Sequence, residues 1–307
     1  MRKLLMSLFE TEKSKFSSVE EQTLDVNGIK IAFKTWGSEE KLPVLAIHGW
    51  LDNSATFSKI APHLDKNFIV APDLAGHGQS EHRRSDSSYY LWDYAIDLYT
   101  FIHNLGWKNY SILAHSMGTG IASILAAIDD GVKSIVFLDG MGAPFTVKPE
   151  DIVKHIKSSQ RILRMAEKSG LHGFSDKSKL QFISIEDAIR SRQKVVGGNL
   201  SFSSAKLLAE RDLIKIDSGH RWRHDPRLTL PEPMQLSDEQ AGYFLNNISC
   251  PLHILLGKDG LFSNNKFNEK SIYLPNNAKV YWHEGEHHFH LENPNEEMIS
   301  QICVALN

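Results

Sequence analysis

The sequence predicts an α/β fold built on a mainly parallel sheet, and three observations carry the prediction. Six short, largely apolar runs each lead into polar or glycine residues: Val44–Ile47 before His48-Gly49, Phe68–Ala71 before Pro72-Asp73, Ser111–Leu113 before the turn at Ser116, Ile135–Leu138 before Asp139-Gly140, Leu252–Leu256 before Gly257, and Val280–Trp282 before His283. Runs of this length without clean alternation read as strands buried on both faces. Helical periodicity lies between several of them, and such alternation of strand and helix implies a parallel sheet. In sheets of this kind ligands gather beyond the carboxyl ends of the strands. His48, Asp73, Ser116, Asp139 and Asp259 all fall just past those ends.

Taken in order, the chain opens on Met1-Arg2-Lys3-Leu4-Leu5-Met6-Ser7-Leu8-Phe9, a basic start whose apolar stretch is too short for a signal peptide and has no small-residue cleavage site. Residues 1–20 are therefore read as an N-terminal arm. Gln22 to Trp36 alternates around Asn27-Gly28, a strong two-residue hairpin signal. Leu91, Tyr94, Ala95, Leu98, Phe101, Ile102 and Leu105 share one helix face before a stop at Gly106. A small-residue helix runs from Gly118 to Ile128. Residues 141–235 carry helix-like mixing of polar and apolar residues and no convincing strand. Helices are expected at Ile152–Ala166, Ile185–Val195 and Phe202–Ile216, so the segment reads as a helical cap inserted into a core of residues 21–140 and 236–307. Within it, His220-Arg221-Trp222-Arg223-His224-Asp225-Pro226-Arg227 has two readings: a grip on an anionic substrate, or a solvated or internally paired boundary segment. A C-terminal helix is expected over Glu296–Leu306.

Composition narrows the function. At 307 residues the chain is long enough for a large core in one or two domains. A net charge of −3 gives no sign of a nucleic-acid or membrane-surface partner. No run of about 18 apolar residues exists to span a bilayer. Two cysteines, Cys250 and Cys303, make neither a disulfide framework nor a metal site. A reducing compartment fits them, the C-terminus is not a receptor-read address, and a cytoplasmic location is the expectation. Oligomeric state is not legible.

The chemistry concentrates at Ile112-Leu113-Ala114-His115-Ser116-Met117-Gly118-Thr119-Gly120. A strand leads into Ser116 and a small-residue helix leads out. That is the layout of a nucleophile elbow, which holds a serine hydroxyl exposed on a sharp turn. The first position of the usual Gly-x-Ser-x-Gly is Ala114, a mild departure. The helix N-terminus and the backbone N–H of Met117 stand where a developing oxyanion needs them. Such a serine needs a base and an acid to orient it. Gly285-Glu286-His287-His288-Phe289-His290, with three histidines in four residues, can supply the base. No cluster of ligands with metal spacing accompanies those histidines, so neither a metal nor an organic cofactor is expected. The chain order serine, acid, histidine is that of α/β-hydrolases.

Four stretches together resemble the α/β-hydrolase superfamily, and within it the serine hydrolase-like proteins: His48-Gly49-Trp50-Leu51-Asp52-Asn53, Asp73-Leu74-Ala75-Gly76-His77-Gly78-Gln79-Ser80, Ala114-His115-Ser116-Met117-Gly118 and His287-His288-Phe289-His290-Leu291-Glu292. The resemblance runs from about Ile29 to the end, and the cap matches least. It implies an α/β-hydrolase fold, a mostly parallel sheet flanked by helices, with Ser116 as nucleophile. Counting back from Glu292-Asn293-Pro294 it implies His287 as base. Glu286 stands where the family usually has glycine, and His288 and His290 are left as packing or supporting residues. The oxyanion hole falls to the N–H groups of Trp50 and Met117. His48 is then structural, and His77 fixes its loop. For the acid the family usually uses the loop after the penultimate strand, which favours Asp259. Some relatives place it after the strand following the nucleophile helix, which makes Asp139 the alternative.

The activity so implied is hydrolysis of a small carboxylic ester, or a related acyl substrate, through an acyl-enzyme. Thioesterases, lactonases and carbon–carbon bond hydrolases share the serine. Haloalkane dehalogenases and epoxide hydrolases carry an aspartate at the elbow, which Ser116 argues against. A reading from another class is a slow-turnover or non-catalytic receptor for a small ligand on the same fold.

Overall fold

The computed structural model describes residues 19–168, 181–263 and 265–307. The expected N-terminal arm lies outside the described residues except for Val19 and Glu20, and Glu20 already begins a strand. β1 (Glu20–Val26) and β2 (Ile29–Trp36) form an antiparallel hairpin. Asn27 and Gly28 connect them with φ of 54° and 80°. Both residues being left-handed gives the mirror-image turn whose twist suits a hairpin.

All six apolar runs lie in strands: β3 (Leu42–Ile47), β4 (Asn67–Pro72), β5 (Tyr110–His115), β6 (Val132–Leu138), and, after five short strands of the inserted segment, β12 (Leu252–Gly257) and β13 (Ala278–His283). The sheet order is β1-β2-β4-β3-β5-β6-β12-β13. From β4 to β13 neighbours are parallel, so their carboxyl ends share one edge. Successive side chains of a strand point to opposite faces. Leu45 and Ile47 enter one core cluster and Val44 and Ala46 the other, and Ile135 and Phe137 divide from Val136 and Leu138 in the same way. Burial on both faces is why these strands read as continuous apolar runs. The helices Leu91–Asn104 and Gly118–Ile128 cover the first face, and the C-terminal helix Glu296–Leu306 covers the second.

The inserted segment departs from the all-helical expectation. Helices do form at Ile152–Lys168, Ile185–Arg192 and Phe202–Asp212. The second stops early because a tight hairpin follows, β8 (Lys194–Val195) and β9 (Gly198–Asn199). Gly197 and Gly198 take φ of 77° and 149° in that hairpin, values that side chains disfavour. The third helix gives way to β10 (Leu213–Ile216), which turns at Asp217-Ser218 into β11 (Gly219–Trp222), and β11 pairs in turn with β7 (Gln181–Phe182). Strands this short carry too few residues to show a period. The segment is pinned to the core by a buried ion pair, Arg211 Nε to Asp73 Oδ2 at 2.9 Å. A small apolar cluster, in which Ala205 and Leu208 meet Ala55 and Leu291, adds to it.

Candidate active site

The elbow is built as the sequence implies. Ser116 follows β5 directly and takes φ 52°, a left-handed value held by the fixed strand behind it and the helix ahead. Such strain is stored where the surrounding structure over-determines the backbone. A Cβ at Gly118 would collide with the carbonyl oxygen of Ile47, so the helix start passes β3 only as glycine. Ala114 is fully buried between Ile47 and Phe137, and its methyl is accommodated.

His287 Nε2 lies 2.9 Å from Ser116 Oγ, and His287 Nδ1 lies 2.6 Å from Asp139 Oδ2. An ionised carboxylate only accepts, so the ring proton sits on Nδ1 and Nε2 is free to accept from the serine. Burial pushes the pKa of His287 down to about 4, against the pull of Asp139. The imidazole is therefore neutral near pH 7. Asp139 is fully buried and left-handed at φ 42°.

The carboxylate facing His287 is thus Asp139 and not Asp259, the residue that the sequence reading preferred. The loop after β12 serves Asp139 through its backbone. Gly257 N donates to Oδ1 and Leu261 N to Oδ2, each at 2.9 Å, and a Cβ on Gly260 would strike the carboxylate. Asp259 is exposed on the outside of that loop, with its own N–H bound to Gly285 O.

Gly49 passes against the elbow, its Cβ position 3.0 Å from Ser116 Cβ. The N–H groups of Trp50 and Met117, on either side, donate to no group among the described residues. His48 is structural. Its Nδ1 donates to Gly49 O at 2.7 Å and its Nε2 accepts from Leu74 N at 2.9 Å, which fixes the turn carrying Trp50. Burial lowers its pKa and keeps it neutral. His77 is buried in its loop with Nδ1 3.2 Å from Ala75 O. Ser116, His287, Trp50 and Met117 line a cavity of about 650 Å³, closed on other sides by residues such as Phe145 and Val196.

Residues 43–161 match the alpha/beta hydrolase fold family. A serine hydrolase-like protein of Danio rerio is 30% identical over 281 residues, 88% of this chain and 83% of the relative. One of Dictyostelium discoideum is 32% identical over 298 residues, 91% and 79%. The chain belongs to the α/β-hydrolase family of serine hydrolase-like proteins. Among solved structures, a Pseudomonas aeruginosa protein described as hypothetical superposes with a TM-score of 0.82 at 32% identity, covering 94% of this chain and 98% of its own. Family membership and the hydrolase fold agree with the elbow, and they support a hydrolase.

Beneath His287 lies a second charged group that sequence reasoning did not assign. Asp52 Oδ1 accepts from Arg192 at 2.9 Å and Oδ2 from His288 Nε2 at 3.2 Å, with His115 Nδ1 at 3.4 Å. Burial would raise the Asp52 carboxyl, but His288, His115 and Arg192 outweigh it and hold it well below the usual carboxylate range. His115 Nε2 lies 3.2 Å from the carbonyl oxygen of His287, so this group also supports the loop that carries His287. His290 packs below it, against Thr56 Oγ1 at 3.0 Å. The signal was present, since Asp52, His115 and His288 each sit inside a stretch that carries the family resemblance. The inserted segment grips the same loop from above: Asn199 N donates to Glu286 Oε2 at 2.7 Å, which gives the unusual Glu286 a partner. Ring nitrogens of His115, His287 and His288 approach within 4.8 Å of one another, close enough to hold a metal ion. An ion there would compete with the hydrogen bonds that bind His287 to Ser116 and Asp139.

Two residues of the basic stretch are internally paired. Arg227 is spent on Asp225 and on the carbonyls of Arg83, Arg84 and Ser87, and His224 on Asp212. Among the described residues no helix is long and apolar enough to cross a membrane.

Proposed function

We propose that the protein is a serine hydrolase that cleaves a small carboxylic ester through a covalent acyl-enzyme, with Ser116, His287 and Asp139 as its triad. The observation that supports it most is the continuous pair of short contacts, Ser116 Oγ to His287 Nε2 and His287 Nδ1 to Asp139. As the serine oxygen attacks the ester carbonyl, its proton passes to Nε2 and the new imidazolium is stabilised by Asp139. The carbonyl π electrons move onto oxygen, and the N–H groups of Trp50 and Met117 stabilise that oxyanion. Collapse breaks the bond to the alkoxy group, which leaves as an alcohol with the proton from Nε2. Water then repeats the sequence on the acyl-serine, His287 taking its proton, and a carboxylic acid is released. Every proton is returned, and no step calls on a metal or a redox cofactor.

The test is labelling with a fluorophosphonate probe alongside turnover of p-nitrophenyl acetate and butyrate. Labelling and turnover that vanish in Ser116→Ala are the outcome this reading requires. A folded protein that binds such esters without labelling or turnover is a receptor, and the hydrolase reading is then abandoned.

A further inference from the structure

Against the catalytic cavity lies a second one of about 310 Å³. The two share Trp50, Met117, Pro144 and Phe145 as lining, so the second lies directly beside the residues whose N–H groups flank Ser116. Elsewhere its wall carries Glu232. Pro231 and Pro233 bracket this residue and restrict the backbone on both sides of it. Its carbonyl accepts from His155 Nε2 at 2.8 Å, which ties it to the helix Ile152–Lys168. The backbone that carries this side chain is therefore held in place.

No hydrogen-bond donor meets that carboxylate among the described residues. Three of the donors that line the same cavity are already used. Arg227 is committed to Asp225 and to backbone carbonyls, Tyr89 donates to Asp225 at 2.7 Å, and the Tyr94 hydroxyl is directed at Ala75 O. Burial, with the negative charge of Asp93 nearby, raises the Glu232 carboxyl to about 7. An acid desolvated without a donor and repelled by a second acid is destabilised in its charged form. A cation entering the cavity would relieve both effects, whereas a neutral hydroxyl would relieve only the missing hydrogen bond. The lining also offers Leu91, Leu163 and Leu228 to take methylene groups and the rings of Trp50 and Tyr94 to favour a positive charge, beside polar residues such as Ser88, Thr229 and Gln235.

We propose that this second cavity is a substrate subsite for an arm that ends in a protonated amine, with Glu232 as its counter-ion and a short methylene chain running past Trp50 and Met117 from the scissile ester. This rests on the hydrolase reading above and narrows its substrate class to amine-bearing esters. Nothing in the triad requires Glu232, which acts in binding alone.

Two measurements on the full chain test it. The first compares p-nitrophenyl 6-(dimethylamino)hexanoate with p-nitrophenyl heptanoate, at a pH about one unit above the Glu232 pKa of about 7 so that the acid is ionised. The natural protein should favour the amine ester in kcat/KM by roughly tenfold to a hundredfold, the range of a charge-assisted hydrogen bond, and Glu232→Gln should erase the preference. Equal rates in the natural protein, or a preference that survives Glu232→Gln, overturn the proposal. The second is calorimetric binding of hexylammonium chloride against 1-hexanol, which needs no turnover. Tighter binding of the ammonium ion that is lost in Glu232→Gln supports the subsite even if no ester is hydrolysed, in which case only the hydrolase reading fails. No binding of hexylammonium, or binding indifferent to Glu232→Gln, overturns the subsite while leaving ester turnover to stand.

Discussion

Replacing Asp139 by asparagine separates this account from the alternative acid more sharply than any other change. The Asp139 carboxylate receives three N–H groups, from His287 Nδ1, Gly257 and Leu261. An amide has one accepting end. If its NH₂ turns to His287, the ring proton must move to Nε2, where it faces the Ser116 hydroxyl and can no longer accept from it. If its NH₂ turns the other way, it meets the backbone N–H of Gly257. In either pose a buried donor is left unpaired, at about 1–3 kcal/mol. Losing the orienting acid costs about 10⁴ in rate in the serine-protease template, or about 5.5 kcal/mol at 1.36 kcal/mol per decade. Asp139→Asn should therefore lower kcat on p-nitrophenyl butyrate by about 10³–10⁴ and shift urea unfolding by about 1–3 kcal/mol. Asp259→Asn, altering an exposed side chain, should leave kcat within a few-fold. The reasoning is refuted if Asp139→Asn keeps a tenth or more of the rate, or if Asp259→Asn falls as far.

Four further outcomes follow from the contacts described above. His287→Ala should abolish turnover, while His288→Ala, which touches Asp52 and not the serine, should retain measurable turnover on the same ester; reversal of that order would move the base to His288. Because the base is active when neutral and its pKa is depressed to about 4, kcat/KM should hold well below pH 6.5 and fall only as pH approaches about 4, and an acid limb centred near 6.5 would contradict the burial argument. The same depression means the unfolded chain binds protons more readily than the folded one in the window from about 6.5 down to about 4. Stability should accordingly decline with falling pH there, His287 alone contributing about 3 kcal/mol, with His48, His77, His288 and His290 shifted in the same direction. Arg211→Leu strands the buried Asp73 carboxylate and should cost about 3–5 kcal/mol in urea unfolding, whereas a change under 1 kcal/mol would mean that the ion pair does not anchor the inserted segment.

The sheet was legible because burial on both faces writes itself into sequence as unbroken apolar runs, and all six such runs lie in strands. The elbow was legible for a similar reason. Its small residues are imposed by backbone contacts, as at Gly118 against Ile47. The acid was not, because Asp139 and Asp259 both stand just past strand ends. What distinguishes them is the left-handed backbone of Asp139 and the way Gly257, Gly260 and Leu261 wrap its carboxylate. Those are contacts between distant segments, and no local pattern encodes them. The inserted segment misled for the opposite reason. Two-residue strands such as Lys194–Val195 and Gly198–Asn199 are defined by their pairing, while Ile185–Val195 taken alone has the composition of a helix. Asp52, His115 and His288 lay in plain view, each within two positions of a residue already assigned. Their convergence on one buried carboxylate needed the fold to bring three loops together.

The central claim is that Ser116 becomes acylated. Intact-mass analysis of the protein quenched in acid during turnover of p-nitrophenyl acetate, followed by peptide mapping, tests it directly. The account predicts a gain of one acetyl group, confined to the peptide containing Ser116 and absent in Ser116→Ala. Turnover with no acylated species at any time, in the natural protein and in a variant slowed at deacylation, or an acetyl group on another residue, would contradict it.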